Sequence, residues 1–360
     1  MSIESYDKYI LAHPTEPVEF HKIVFFSTME MPEKQNVKAN IHRLFTFCDD
    51  PDTYITDHLL AEAPVLFWDN QSMLEKYGVS EAHQELSKCS TYNSPEGIIV
   101  SKVDTLKMLQ KTQCPFIPRT VYSREEAAKL QFPLIAKASN TYQSRGVELV
   151  KNKTELNKLT KGFNLYQEQI AIDEEYRLLF FRGKNIGTAL LAAFKREPEN
   201  EKAKSLRVNE ADSPGPGMKA DKLEAREKSD FSWTQFNPYH NKKMDLMQCY
   251  TIAQHIFHLN PTLNVAGLDI AVDKKGMHWF IECNSTPGLF SNSVPLIYKF
   301  IYEDHYGRLQ EYASRRLRDM CHYFAALTRE DEPTFKVQGN GENPDQYILN
   351  QIDGFVPHVR

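Results

Sequence analysis

A chain of 360 residues with 41% hydrophobic and 25% charged content has room for two or three domains and a sizeable core. A net charge of -5 gives no reason to expect a polyanionic partner such as nucleic acid. The six cysteines (Cys48, Cys89, Cys114, Cys249, Cys283, Cys321) are scattered with no Cys-x-x-Cys, which fits reduced thiols of a cytoplasmic protein rather than a zinc site or disulfide framework; residues 1–17 lack an apolar signal core, and no run reaches the ~18 apolar residues of a membrane span.

The first twenty residues read as an irregular arm. Residues 23–26 read as a buried strand, 34–47 carry a helical pattern, 65–68 read as a second strand and 98–100 as a third. Strands separated by helical spacers predict a small α/β domain over residues 1–100, in which no motif is tied to chemistry. Residues 101–118 begin with a helix that Lys102 opens, with Leu106, Met108 and Leu109 on its apolar faces. A second helix is expected over 123–130, with Ser123 as N-cap and Glu126 three residues on. Residues 132–137 form a strand that ends in Lys137. The loop that follows, 138–147, has a single glycine, Gly146.

Residues 165–170 read as another strand, and residues 175–181 with the turn Arg182-Gly183-Lys184 as the start of a hairpin. The stretch 195–230 is dense in mixed charge, contains Ser213-Pro214-Gly215-Pro216-Gly217, and reads as a surface excursion or a lid over a substrate. Residues 242–259 predict a helix whose core stripe is Met244, Met247, Cys249, Ile252, Ile256 and Leu259. A further helix is expected over 303–327, and from Pro333 onward an extended tail.

Between those two helices lies the most informative segment. Residues 268–273 and 279–284 each alternate apolar and polar, the period of a half-buried strand. Asp269, Ala271 and Asp273 share one face of the first strand, and Glu282 and Asn284 share a face of the second. A two- or four-residue loop around Lys275-Gly276 sets Asp269 across from Glu282. Like charges so placed are destabilising unless a cation lies between them. Oxygen ligands alone point to Mg²⁺, which takes one or two carboxylates and completes its shell with substrate phosphates. The tight turn in Asn284-Ser285-Thr286-Pro287-Gly288 can turn backbone N–H groups toward an anion.

This hairpin resembles the metal-binding end of the ATP-grasp carboxylate–amine ligases, whose members include D-alanine–D-alanine ligase, glutathione synthetase and the ribosomal-protein glutamate ligase. The resemblance runs over roughly residues 95–300 and is strongest at 266–288. It implies an α/β (α+β) ATP-grasp fold: an N-terminal α/β domain over 1–100, then an ATP-grasp domain over 101–302 holding the nucleotide between sheet-containing subdomains of about 101–170 and 171–302, then a C-terminal helix and tail over 303–360. It assigns Mg²⁺, with Mn²⁺ as a substitute, to Asp269, Glu282 and Asn284. Lys102 and Lys137 take the places of the family's two nucleotide lysines, Glu168, Gln169 and Ile170 those of the adenine hinge, and Glu175 that of the ribose acid. Arg177 matches a strand arginine facing the active site. Arg207 and Asn209 match a segment near the triphosphate and the acyl phosphate, with Lys195 and Arg196 as rivals to Arg207. The family's glycine-rich phosphate loop is missing, so Ser144 and Arg145 are the expected grips there. The Gly288 backbone is expected to donate to the carboxylate or oxyanion.

The implied reaction joins a carboxylate to an amine at the expense of ATP, on small-molecule or peptide substrates, in a monomer or a homodimer. A kinase on the same fold is one alternative, since it would use the same ATP and metal residues; a non-catalytic ATP-binding module is another, against which the intact set Asp269, Glu282 and Asn284 argues. No side-chain nucleophile is required by any of the three.

Overall fold

The structure, a computed structural model, describes residues 23–27, 44–48, 63–68, 90–93, 102–138, 147–159, 162–198, 231–287, 293–307 and 335–337. Ser144, Arg145, Arg207, Asn209 and Gly288 lie outside the described residues, as do most of the 195–230 excursion, the expected strand at 98–100 and residues 308–327.

The first sheet is parallel and four-stranded: β1 (Val24–Phe26), β2 (Thr46–Cys48), β3 (Val65–Phe67) and β4 (Thr91–Tyr92), in the order β2-β1-β3-β4. The strands β1 and β3 are apolar at every position and buried at every position, as strands covered on both faces must be. Thr46–Cys48 is a strand, although the helical pattern reached residue 47.

The second sheet is antiparallel, in the order β5 (Thr120–Val121), β8 (Leu165–Glu168), β6 (Leu134–Lys137), β7 (Val147–Val150). Along β6 the side chains of Leu134 and Ala136 are buried and those of Ile135 and Lys137 half-buried. Its core joins them to Leu156 of helix α3 (Lys153–Lys158), Phe163 and Tyr166. The helix at Ser123 is a single turn, α2 (Arg124–Ala127), shorter than the expected 123–130. Its cap is as read: the Glu126 N–H donates to Ser123 Oγ at 3.2 Å.

The third sheet is the largest. Its six strands run β13 (His278–Asn284), β12 (Val265–Asp273), β9 (Ile172–Arg182), β10 (Thr188–Pro198), β11 (Phe231–Gln235) and β14 (Phe335–Val337). All neighbours are antiparallel except β11 and β14, so residues 335–337 of the expected tail belong to this sheet. One face presents Tyr176, Leu178, Phe180, Leu268 and Ile270 to helices α1 (Lys102–Lys111) and α4 (Leu246–Leu259). Each such side chain taken out of water contributes about 1.5–3 kcal/mol. From α4 the sheet receives Cys249, Ile252 and Ile256, as its periodicity predicts; Met247, placed on the same stripe, is 63% exposed because it sits in the first turn beyond the packed face. Met108 of α1 is likewise exposed.

The opposite face is apolar at one end and charged at the other. At the apolar end Phe181 stacks on Tyr92 (centroids 5.9 Å apart) and meets Phe300 at 5.6 Å. Phe300 lies on helix α5 (Ser293–Tyr306), which begins ten residues before the expected 303. Asp304 of α5 is 3% exposed. Its carboxylate accepts from Tyr92 OH (2.9 Å) and from the backbone N–H groups of Lys184, Asn185 and Ile186 in the β9–β10 turn.

Candidate active site

The charged end of that face is set by two β-bulges. Four residues, 274–277, separate β12 from β13, but the turn closes over three of them: Asp273 N–H donates to the Met277 carbonyl (2.9 Å), and Gly276 takes the positive φ of 84°. Such a turn pairs Val272 with His278 and Ile270 with Phe280, a register that would carry Glu282 away from Asp269. The strand then bulges at Ile281, and Asp269 pairs with Glu282 after all. A second bulge, at Leu191, shifts β10 by one residue against β9. Arg196 therefore shares the face of Glu175, Arg177 and Asp269, while Lys195 is turned to the other side. There Lys195 Nζ bonds Glu174 Oε1 at 3.0 Å, on the face away from Asp269.

Across β13, β12, β9 and β10 the face reads as alternating charge. Lys102, at the start of α1, reaches Glu282 at 3.2 Å. Arg177 grips Asp269 with two bonds of 2.7 Å. Arg196 grips Glu175 at 3.0 and 2.9 Å. Burial alone would lower the Arg177 pKa; the Asp269 carboxylate, with Glu282 and Glu175 beyond it, outweighs that and holds the guanidinium charged. Cys283, between the two acids in sequence, points to the core, and burial pushes its thiol well above the ordinary range. Asp273 shares the face of Asp269 but closes the turn, accepting from the Lys275 and Met277 N–H groups and from Trp279 Nε1.

Asn284 ends β13 beside these acids, and its buried Nδ2 has no hydrogen-bond partner among the described residues. The turn after it is held from two sides. A Cβ on Gly267 would lie 2.6 Å from Pro287 Cβ, so glycine is what lets the turn fold back on β12. Asn93, from the first sheet, donates through Nδ2 to the carbonyls of Ser285 and Val265, each at 3.0 Å. Its Oδ1 accepts from the N–H groups of Asn264 and Val265, each at 2.7 Å. The sequence reading missed Asn93, because nothing local to residues 90–93 announces a contact 192 positions away.

Two carboxylates on paired strands and the amide oxygen of Asn284 fit a hard divalent cation completed by phosphate oxygens; the unmet Asn284 Nδ2 is a hydrogen-bond donor and suits a phosphate oxygen rather than the ion. Among the described residues no three His, Cys, Asp or Glu side chains gather as a metal group.

The second sheet carries the other nucleotide candidates. Lys137 is half-buried at the end of β6, paired with Val147 and Leu165. The expected adenine hinge is not a free edge: β8 lies between β5 and β6. Glu168 N–H donates to the Arg119 carbonyl (3.0 Å) and Gln169 N–H to the Pro133 carbonyl (3.1 Å), so neither is open to a base. Ile170 N–H has no such bond among the described residues. The acid expected at the ribose, Glu175, is 7% exposed and engaged by Arg196.

The profile of the D-ala D-ala ligase C-terminus family matches residues 103–299. The N5-carboxyaminoimidazole synthetase from Staphylococcus aureus, complexed with ADP, superposes with a TM-score of 0.53 at 11% identity, covering 81% of this chain and 79% of that one. The corresponding ribonucleotide synthetase from Thermotoga maritima gives 0.46 at 14% identity, over 80% and 76%. The ATP-grasp ligase PsnB, complexed with minimal precursor, Mg, and ADP, gives 0.48 at 11% identity, over 87% and 100%. A comparison with curated proteins finds no match. Among the described residues no helix is long and apolar enough to cross a membrane.

Proposed function

The chain belongs to the D-alanine–D-alanine ligase C-terminal family of the ATP-grasp carboxylate–amine ligase superfamily, and on that premise we propose that it forms an amide between a carboxylate and an amine with ATP as the energy source. The observation that carries the proposal is the pairing of Asp269 with Glu282 on one sheet face, each acid met by a cation of the protein itself.

In this reading Asp269, Glu282 and Asn284 hold Mg²⁺, or Mn²⁺ in its place. When bound, the ion neutralises charge on the β- and γ-phosphates. Lys102 and Lys137 bind the phosphates from two sides, with Ser144 and Asn209 as further contacts. The Ile170 N–H and the hinge carbonyls meet the base. Glu175 is kept as the ribose acid, which requires Arg196 to share it. A carboxylate oxygen of one substrate attacks the γ-phosphorus, the bond to ADP breaks, and an acyl phosphate forms. The amine nitrogen of the second substrate attacks the acyl carbon; the carbon–oxygen bond to phosphate breaks, phosphate leaves and the amine gives up a proton. Arg177, Arg207 and the Gly288 N–H stabilise the oxyanion of that second step, where fixed donors contribute most. Guanidinium suits the task because it is planar and bidentate. The substrates are small carboxylates, amino acids or peptides.

Mg²⁺-dependent ADP release, screened over pairs of amino acids and dipeptides with the products identified by mass, tests the proposal. An amide with one phosphate per ADP is expected. A stable phosphorylated product would make the protein a kinase, and ADP release that no substrate pair stimulates would make it a non-catalytic ATP-binding module.

A further inference from the structure

The first sheet carried no motif tied to chemistry, yet it sends one side chain into the hairpin. Asn93 stands just after β4 with φ of 54°, a left-handed conformation that asparagine tolerates better than most residues. It is 2% exposed. Its own N–H donates to Asn264 Oδ1 at 3.0 Å. Its amide meets both ends of the hairpin at once: the Val265 N–H and carbonyl where β12 begins, and the Ser285 carbonyl just past Asn284. All the polar atoms of Asn93's amide are thus committed: three of its four bonds go to Asn264 and Val265, where β12 begins, and one to Ser285, next to Asn284.

From this geometry we infer that Asn93 is a positioning residue for Asn284, fixing the turn that aims the Asn284 amide beside Asp269 and Glu282. The inference rests on the reading of Asn284 as a ligand of the divalent ion. Asn93 touches neither ion nor substrate. It acts through the Ser285 carbonyl, which clamps the chain one residue beyond Asn284. Without that clamp the turn keeps the packing of Pro287 on Gly267 but loses the hydrogen bond to the Ser285 carbonyl. Hydrogen-bonded partners behind a metal ligand commonly change metal affinity by about 10–100-fold when removed.

The test is Mn²⁺ binding in the presence of ADP, read by electron paramagnetic resonance on the full chain. Asn93→Gly keeps the backbone angle and loses every side-chain bond. Asn93→Asp retains the acceptor for Asn264 and Val265 and loses the donors to Ser285 and Val265. Both variants are expected to bind Mn²⁺ about 10–100-fold more weakly, with an altered hyperfine pattern. Tyr92→Phe is the control: it removes the neighbouring bond to Asp304 and is expected to lower stability while leaving Mn²⁺ affinity within about twofold, since that bond leads to α5 and not to the hairpin. Wild-type affinity in Asn93→Asp, or equal weakening in Tyr92→Phe, overturns the inference. If neither Asn93 variant folds, amide exchange of the wild-type chain decides. Mn²⁺ with ADP should then protect the Asn264 and Val265 amides beyond any rise across α4, and equal protection overturns the inference. Glu282→Gln in the same assay separates the two levels: undiminished Mn²⁺ binding there sinks the metal reading itself, whereas its loss beside unaffected Asn93 variants sinks only the role of Asn93.

Discussion

Arg177 occupies Asp269 in the way a cation would, and the competition between them is measurable. Two bonds of 2.7 Å join the guanidinium to the carboxylate, and the side chains are only 24% and 10% exposed. Hydrogen bonds to charged groups contribute about 1.5–3 kcal/mol net. On the proposed reading of Asp269 as a metal ligand, an ion arriving without nucleotide must displace that interaction. Removing Arg177 as Arg177→Met lifts the competition, and because about 1.4 kcal/mol is tenfold in affinity, nucleotide-free Mn²⁺ binding should tighten about 10–100-fold. Asp269 would also face Glu282 uncompensated, a further pull toward a cation. Lys102→Met should act in the same direction but less, since a single contact of 3.2 Å is lost. Mn²⁺ titration followed by electron paramagnetic resonance reads the effect directly, with circular dichroism to confirm the fold. Unchanged or weaker Mn²⁺ binding in folded Arg177→Met would refute the reasoning. Turnover should fall in the same variant, so metal affinity and activity are expected to move in opposite directions.

Glu282→Gln is nearly isosteric and removes one charge from the proposed site; ADP release with the best substrates should vanish at an unchanged far-ultraviolet spectrum, and activity within about threefold of wild type would exclude Glu282 as a catalytic ligand. Burial holds the His278 pKa below its ordinary 6.5, and Nε2 of its ring accepts from the Asp245 N–H. The unfolded chain therefore binds this proton at higher pH than the folded one, and stability should drop as pH falls below 6.5, by up to about 1.4 kcal/mol per pH unit until the folded ring titrates. Denaturation midpoints in His278→Gln, which keeps an acceptor, should lose that slope; the lowered carboxyl pKa values of Glu174, Asp245 and Asp273 act only at more acid pH. Gly267→Ala should cost about 1–3 kcal/mol by forcing Pro287 off β12, seen as a lower melting temperature, and a neutral substitution would show that the turn yields.

The hairpin was legible because alternation in 268–273 and 279–284 is a local property, and local properties survive without knowledge of the rest of the chain. The same holds for the cap at Ser123 and for the lysines that open α1 and close β6. What was not legible depends on register between distant strands. An extra residue at Ile281 rescues a pairing that the three-residue turn would have broken, and one at Leu191 decides that Arg196, not Lys195, shares the sheet face of Asp269. Both bulges fall in runs of apolar residues, where nothing marks which one is skipped. The β8 segment shows a different limit: its polar outward residues suggested an open edge, but β5, only two residues long, covers it. Asn93 is the extreme case, since its role exists only once three separate segments have met.

Asp304 gives the folding unit a different outline from the matched family region. That region ends at residue 299 and the expected domain boundary fell at 302, yet the carboxylate that pins the β9–β10 turn to Tyr92 lies beyond both. A chain shortened to either limit would leave the N–H groups of Lys184, Asn185 and Ile186 without their acceptor and the first sheet without one of its anchors. Any excised version of this chain must therefore carry α5 through at least Tyr306, and the N-terminal sheet and the large sheet should melt together as one cooperative block rather than as separable modules.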